Sequence, residues 1–139
     1  MRIELKRLDD AFHLEATNEQ GVKTYTDASP DIGGNNKGFR PMQLLLVAAA
    51  SCSTIDIINI LKKQKQPLED IQIVVDGERE KDKIPSLFTD IHLHYKLFGD
   101  LAEEKVKRAI ALSIEKYCSV SKTLEETAKI TTSFEIIRK

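Results

Sequence analysis

The sequence lacks any block of like charge, any apolar leader and any pair of closely spaced cysteines, and each absence removes a class of function. Lys and Arg total 21 against 22 Asp and Glu, and neither sign is gathered into a row that could neutralise successive phosphates, which argues against a nucleic-acid partner. The N-terminus MRIELKRLDD carries charges where a signal peptide needs an apolar stretch, so a cytoplasmic location is expected. One long segment is apolar, and Asp56 and Asn59 interrupt it, so no membrane span is expected. The two cysteines, Cys52 and Cys118, stand 118 − 52 = 66 positions apart, which excludes the C-x-x-C spacing of a thioredoxin-like or zinc-ribbon site. A bridge between them would contribute roughly 4 kcal/mol through loop entropy. Cytoplasmic thiol buffers oppose a persistent bridge, which leaves a transient redox disulfide or two free thiols.

What is present is enough for a core. With 139 residues, 41% of them hydrophobic and 31% charged, the chain has the length and composition of one globular domain spanning 1-139. Its most apolar stretch lies in Arg40 to Lys63, RPMQLLLVAAASCSTIDIINILKK, where Leu44 to Ala50 is unbroken. A helix that is apolar on every face over two turns needs cover rather than water, so 40-65 is expected to be the central helix. Before it, Met1 to Leu8, Ala11 to Thr17 and Val22 to Thr26 alternate with period two and are separated by Asp9-Asp10 and Asn18 to Gly21, the pattern of a three-stranded antiparallel meander over 1-30. The intervening DIGGNNKG has glycines at 33 and 38 in phosphate-loop spacing, but Phe39-Arg40 stands where Lys and Ser/Thr are required, and it reads as a loop.

After the helix, Pro67 blocks continuation, and Ile71 to Val75 and Leu87 to Phe98 read as strands,. The second places Ile91, Leu93, Tyr95 and Leu97 on one face and Asp90, His92, His94 and Lys96 on the other, as in a sheet with one wet side,. From Leu101 to Tyr117 an apolar stripe of Val106, Ala109, Ile110, Ser113, Ile114 and Tyr117 recurs at three and four, and Cys118 ends it,. Ser119 or Ser121 is placed to cap a shorter helix reaching about Lys129, before a last strand from Ile130 to Ile137,. The order is βββ-α-ββ-αα-β, with 71-139 forming the ββααβ portion, and the mostly antiparallel strand signals give an α+β fold.

Both thiols are candidates for chemistry, and their local settings differ. Asp56 follows Cys52 by four residues on one helical face, where a carboxylate and an apolar neighbourhood both oppose a thiolate. Cys118 has Lys116 and Lys122 nearby and a helix starting just beyond it, all of which favour one. His92 and His94 complete the inventory of a Cys2His2 zinc site, but they fall on the wet strand face while Cys52 lies on an apolar helix, and the spacing matches no zinc module. Ser51, Ser53 and Asp56 bring a hydrolase to mind, yet no G-x-S-x-G elbow precedes them,.

PMQLLLVAAASCSTID and EKYCSVS together resemble the paired cysteine motifs of the OsmC/Ohr superfamily, the osmotically induced and organic-hydroperoxide-resistance proteins of bacteria. The wording Cys-Ser-x-Ile-Asp and Glu-Lys-Tyr-Cys-Ser-Val is similar to the YhfA-like branch. The resemblance implies an OsmC-like fold in which antiparallel sheets wrap long central helices in an intertwined homodimer. It also implies interface sites with Cys52 as the peroxidatic and Cys118 as the resolving cysteine. The activity implied is thiol-dependent reduction of a small organic hydroperoxide, with no metal or organic cofactor and an external dithiol as reductant. One departure is Met42, which stands where Ohr members carry a Glu that orients the peroxide together with an Arg; Arg2, Arg7, Arg40 and Arg79 are the residues that could supply the latter. The alternative is a non-catalytic protein binding a small apolar or reactive molecule in the interface pocket near Phe39, Met42 and Cys52.

Overall fold

A computed structural model describes residues 1–138, which cluster into two compact units divided between Leu45 and Leu46. In the first, β1 (Ile3–Arg7), β2 (Leu14–Asn18) and β3 (Lys23–Thr26) form the expected antiparallel meander in the order β1-β2-β3. Aspartate and asparagine make its turns. Asp9 Oδ1 accepts the backbone N–H groups of Ala11 and His13 at 2.9 and 3.3 Å, and Asn18 Oδ1 accepts those of Gln20 and Val22 at 3.0 and 2.9 Å,. The glycine-rich segment is a loop, as its sequence indicates, wound around the buried Asp27. That carboxylate accepts N–H groups from Ala28, Asn35 and Lys37 at 2.8, 3.2 and 3.1 Å. Gly34 is required there, because a Cβ would lie 1.8 Å from the Ala28 carbonyl oxygen.

The long helix α1 runs from Pro41 to Lys63. Proline at its first position needs no N–H partner, and Gln43 Oε1 reaches back to the Arg40 N–H at 2.9 Å, as the third residue of a capping box does,. Lys62 and Lys63 close it with positive charge at the negative end of the dipole,. Within the chain only a stripe is buried: Ala49, Ser53, Ile57 and Leu61 recur every four residues. Leu45, Val47, Ile55 and Ile58 remain exposed, so one chain leaves much of the apolar run uncovered. By length and composition α1 is also apolar enough to cross a membrane, which corrects the expectation that Asp56 and Asn59 exclude such a segment. Two polar residues do not outweigh the rest, although the buried stripe shows the helix used as core.

In the second unit β4 (Asp70–Arg79) and β5 (Phe88–Phe98) are antiparallel, and β6 (Lys129–Ile137) adds to the other side of β5. The element order and the α+β class are those read from the sequence. One pairing differs: β5 and β6 run parallel, Ile91 opposite Ile130 and Leu97 opposite Ile136. The reason is the connection, since α2 (Glu103–Leu112) and α3 (Ser119–Leu124) intervene and supply the crossover that a parallel pair needs. Ile91, Leu93, Tyr95 and Leu97 are all completely buried. They join Ile57 and Leu61 of α1 and Val106, Ala109 and Ile110 of α2 in one core. His92, His94 and Lys96 line the opposite face and are half-buried rather than open to water. Gly99 (φ +134°) leaves β5 where a Cβ would lie 2.4 Å from the Pro67 carbonyl oxygen, so the chain turns off the strand only with glycine there.

Candidate active site

One interruption of regular structure helps to bring the cysteines together. Cys52 lies on α1 just before Ser53 of the buried stripe. The helix that begins as α2 changes to a π-helical turn over Ser113–Tyr117, in which the Cys118 N–H reaches back five residues to the Ser113 carbonyl at 2.7 Å. One added residue rotates the following side chain by about 100° relative to a continuous α-helix, and Cys118 follows this turn as a fully buried residue. The Cys52 and Cys118 sulfurs and an Asp56 carboxylate oxygen all lie within 4.8 Å of one another. Both thiols are free, Cys52 half-buried and Cys118 buried.

A chain of hydroxyls holds this group. Tyr95 on β5 donates to Ser53 Oγ at 2.7 Å, and Ser53 Oγ donates to the Ala50 carbonyl at 3.2 Å. Ser113 Oγ reaches the Ser53 carbonyl at 3.2 Å and Asp56 Oδ2 at 3.1 Å, tying the π-turn to α1. Cys118 is itself the cap of α3: its sulfur accepts from the Ser121 N–H at 3.4 Å and from Ser121 Oγ at 3.1 Å. The expected caps, Ser119 and Ser121, are therefore displaced by one to three positions, because a sulfur at Cys118 takes the acceptor role that oxygen usually fills. Helix α3 ends at Leu124 rather than near Lys129.

Electrostatics reverse the local expectation for Cys118. Burial pushes its thiol up, Ser121 with its two donors acts downward, and the neighbouring Cys52 acts upward again,. The lysines that promised the opposite are occupied elsewhere, Lys116 over the Tyr117 ring at 5.3 Å and Lys122 with Glu125 at 3.2 Å. Burial also pushes the Tyr95 hydroxyl up to about 12; its bond to Ser53 acts downward, and the Cys118 and Asp56 charges reinforce the rise. Among the described residues no Lys or Arg forms an ion pair with Asp56.

The other sequence candidates fall elsewhere. His92 bonds Thr131 and Ser133 at 2.7 and 2.8 Å and His94 bonds Ser133 at 2.7 Å, within the β5–β6 face. They take no part in the cysteine cluster, so the Cys2His2 combination does not form. Ser51 Oγ is spent on the Val47 carbonyl at 2.6 Å. A surface cleft of about 980 Å³ beside α2 and β6 includes neither sulfur. A smaller one of about 370 Å³ opens on Asp56 and is lined by Asn59, Lys63, Gln64 and Tyr117. Ser113 and Tyr95 were the residues missed, and their signal was available: each is a hydroxyl inside an otherwise apolar stripe, where burial demands a partner.

The family model for OsmC-like proteins matches residues 34–133. This chain belongs to the OsmC family. The OsmC-like chain is 42% identical over 108 residues to Protein YhfA of Escherichia coli K12, covering 77% of this chain and 80% of the relative, which puts it with the YhfA-like branch. A hypothetical protein from Aquifex aeolicus has the same fold at 32% identity and TM-score 0.86, covering 99% of this chain and 96% of that one. An organic hydroperoxide resistance protein OsmC from Legionella pneumophila shares the fold alone, at 20% identity and TM-score 0.72 with 97% of each chain covered.

Proposed function

We propose that this OsmC-like chain is a thiol-dependent reductase of small organic hydroperoxides, with Cys52 peroxidatic and Cys118 resolving. The observation that carries the reading is the unequal burial of two reduced sulfurs within 4.8 Å of each other. An attacking thiol must meet the substrate, whereas a resolving thiol needs only to meet the oxidised sulfur. The Cys52 thiolate attacks one oxygen of the O–O bond; an S–O bond forms, the O–O bond breaks, and the departing alkoxide takes a proton and leaves as alcohol. Cys118 then attacks the sulfenic sulfur, the S–S bond forms, and the hydroxyl leaves with the thiol proton as water. An external dithiol reopens the bridge by exchange and is itself oxidised. The cycle uses no metal or organic cofactor.

The partner is a second copy of the chain. Val47, Ile55 and Ile58 are 40, 59 and 39% exposed on α1, an apolar surface that a homodimer would cover, and sedimentation should give twice 15.7 kDa at micromolar concentration. A single-chain mass would overturn this part. The name of the Legionella pneumophila relative supports the substrate class. The reading predicts peroxide-dependent oxidation of dithiothreitol with cumene hydroperoxide, abolished in Cys52→Ser, and loss of two hydrogen masses in the Cys52–Cys118 peptide pair after one equivalent of peroxide. Equal rates for both proteins would instead support a non-catalytic protein that binds a small apolar or reactive molecule. The observation behind that second reading is the upward shift of Cys118 with Lys116 and Lys122 engaged elsewhere: this chain offers the Cys118 thiol little help to ionise.

A further inference from the structure

We propose that the reduced protein binds one Zn²⁺ per chain through Cys52, Asp56 and Cys118, the convergence of all three ligand atoms within 4.8 Å being the observation that defines the site. It shares its cysteines with the peroxidase reading, but the two stand or fall by different measurements. Tetrahedral zinc with Zn–S near 2.3 Å and Zn–O near 2.1 Å needs ligand atoms separated by about 3.6 to 3.8 Å. The ligand atoms therefore have to close by at most about 1.0 to 1.2 Å from the separations present,, a displacement within the reach of small χ adjustments. Cys52 and Asp56 are at i and i+4 of one helix, and Cys118 comes from the junction between the π-turn and α3, so two ligands share a face and the third arrives from another element.

The surroundings resemble those of a ligand shell. Ser113 Oγ lies 3.1 Å from Asp56 Oδ2 and orients that carboxylate. Ser121 directs both its N–H and its hydroxyl at the Cys118 sulfur. Such outer donors fix the ligand positions before a metal arrives. Three potentially anionic atoms meet here while no Lys or Arg among the described residues pairs with Asp56, and a divalent cation would neutralise them together. Two sulfurs favour a borderline-soft ion such as Zn²⁺ over Mg²⁺ or Ca²⁺. With three protein ligands, the fourth position is left for water. Binding releases the thiol protons and commits both sulfurs to the metal, so zinc and the Cys52–Cys118 disulfide exclude each other.

The test is zinc transfer from a chromophoric chelator to the full, reduced chain, with Cd²⁺ as a spectroscopic substitute that reports thiolate ligation by its ultraviolet charge-transfer band. One Zn²⁺ per chain is expected, with binding weakened at least about tenfold in Asp56→Asn and about a hundredfold or more in Cys52→Ser and Cys118→Ser. The wild-type chain oxidised to its disulfide should bind none, a control that needs no substitution and so survives a variant that fails to fold. Absent charge transfer, affinity unchanged in Asp56→Asn, or equal uptake by reduced and oxidised chains would overturn the assignment. Peroxide consumption is not part of the readout, so an inactive protein that binds zinc would refute only the peroxidase reading, and an active one that does not would refute only this one.

Discussion

Replacing Tyr95 by Phe isolates the hydroxyl that anchors the cysteine-bearing helix to the sheet. Its ring is completely buried and its O–H donates to Ser53 Oγ at 2.7 Å. The substitution leaves the ring in place, and Ser53 keeps its own bond to the Ala50 carbonyl, so the expected cost is one ordinary buried hydrogen bond, about 1 kcal/mol. The pH dependence makes the test specific. Burial, the largest influence, raises the Tyr95 hydroxyl from 10.0 to about 12 in the folded chain. An acid whose folded value lies above its unfolded one contributes stability that is complete below the unfolded value and is lost as pH rises through the folded value. At about pH 11 that loss comes to about 1.4 kcal/mol. The wild type bears it and the Phe variant does not. Urea unfolding followed by far-ultraviolet circular dichroism should therefore show Tyr95→Phe less stable by about 1 kcal/mol near neutral pH and equal or slightly more stable near pH 11. A stability difference that stays the same at both pH values would refute the buried, proton-holding state assigned to Tyr95.

Gly34→Ala should destabilise the loop around Asp27 by about 1 to 3 kcal/mol or more, because its Cβ would meet the Ala28 carbonyl oxygen at 1.8 Å; an unchanged melting temperature would show that the loop follows another path. For Asp27 itself burial acts upward, but N–H donors from Lys37, Ala28 and Asn35 outweigh it and hold the carboxyl below its ordinary 3.8. Its contribution is thus present above that value and lost as pH falls through the folded one, so Asp27→Asn should lower the melting temperature at neutral pH and narrow its gap to wild type as the pH is taken below 3.8,; a constant gap would contradict this. At pH near 7.5 iodoacetamide should modify the half-buried Cys52 before the buried, upward-shifted Cys118, and faster labelling of Cys118 by peptide mass spectrometry would reverse the proposed roles.

How much of this was legible in the sequence depended on whether a local pattern carried it. The meander was readable because Asp9 and Asn18 announce its turns, and β5 because Ile91 to Leu97 alternates cleanly. The direction of β6 was not in its own residues, since Lys129–Ile137 alternates equally well in either orientation. It was in the connection, where two helices supply a crossover. The exposed apolar half of α1 was legible as a surface needing cover. The meeting of Cys52 and Cys118 was implied only by the family resemblance and not by periodicity, because it depends on the π-turn over Ser113–Tyr117, and a recurrence at three and four cannot show the insertion of one residue. What the stripe did contain was a serine at 113 among Ala109, Ile110 and Ile114. Read as a buried hydroxyl in need of an acceptor, it would have pointed toward a polar partner on another element.

The same restraints decide which sulfur moves when the two are oxidised together. A disulfide requires the sulfurs to approach from within 4.8 Å to about 2.05 Å. Cys118 is held on two sides: its backbone N–H is bound to the Ser113 carbonyl, and its sulfur takes two bonds from Ser121 at the start of α3. Moving it would give up those bonds, at about 1 kcal/mol each, and unseat the cap of α3. Cys52 has no such hold from a serine and sits half-exposed on a helix whose backbone is secured by Tyr95 and Ser113 acting at Ser53 and Asp56. Rotation of Cys52 about its Cα–Cβ bond is therefore the lower-energy route to the bridge. On the proposed peroxidase reading the hydroxyl network would have a chemical role: it would keep Cys118 and both backbones still, so that the thiol proposed to meet substrate is also the one free to turn inward afterwards.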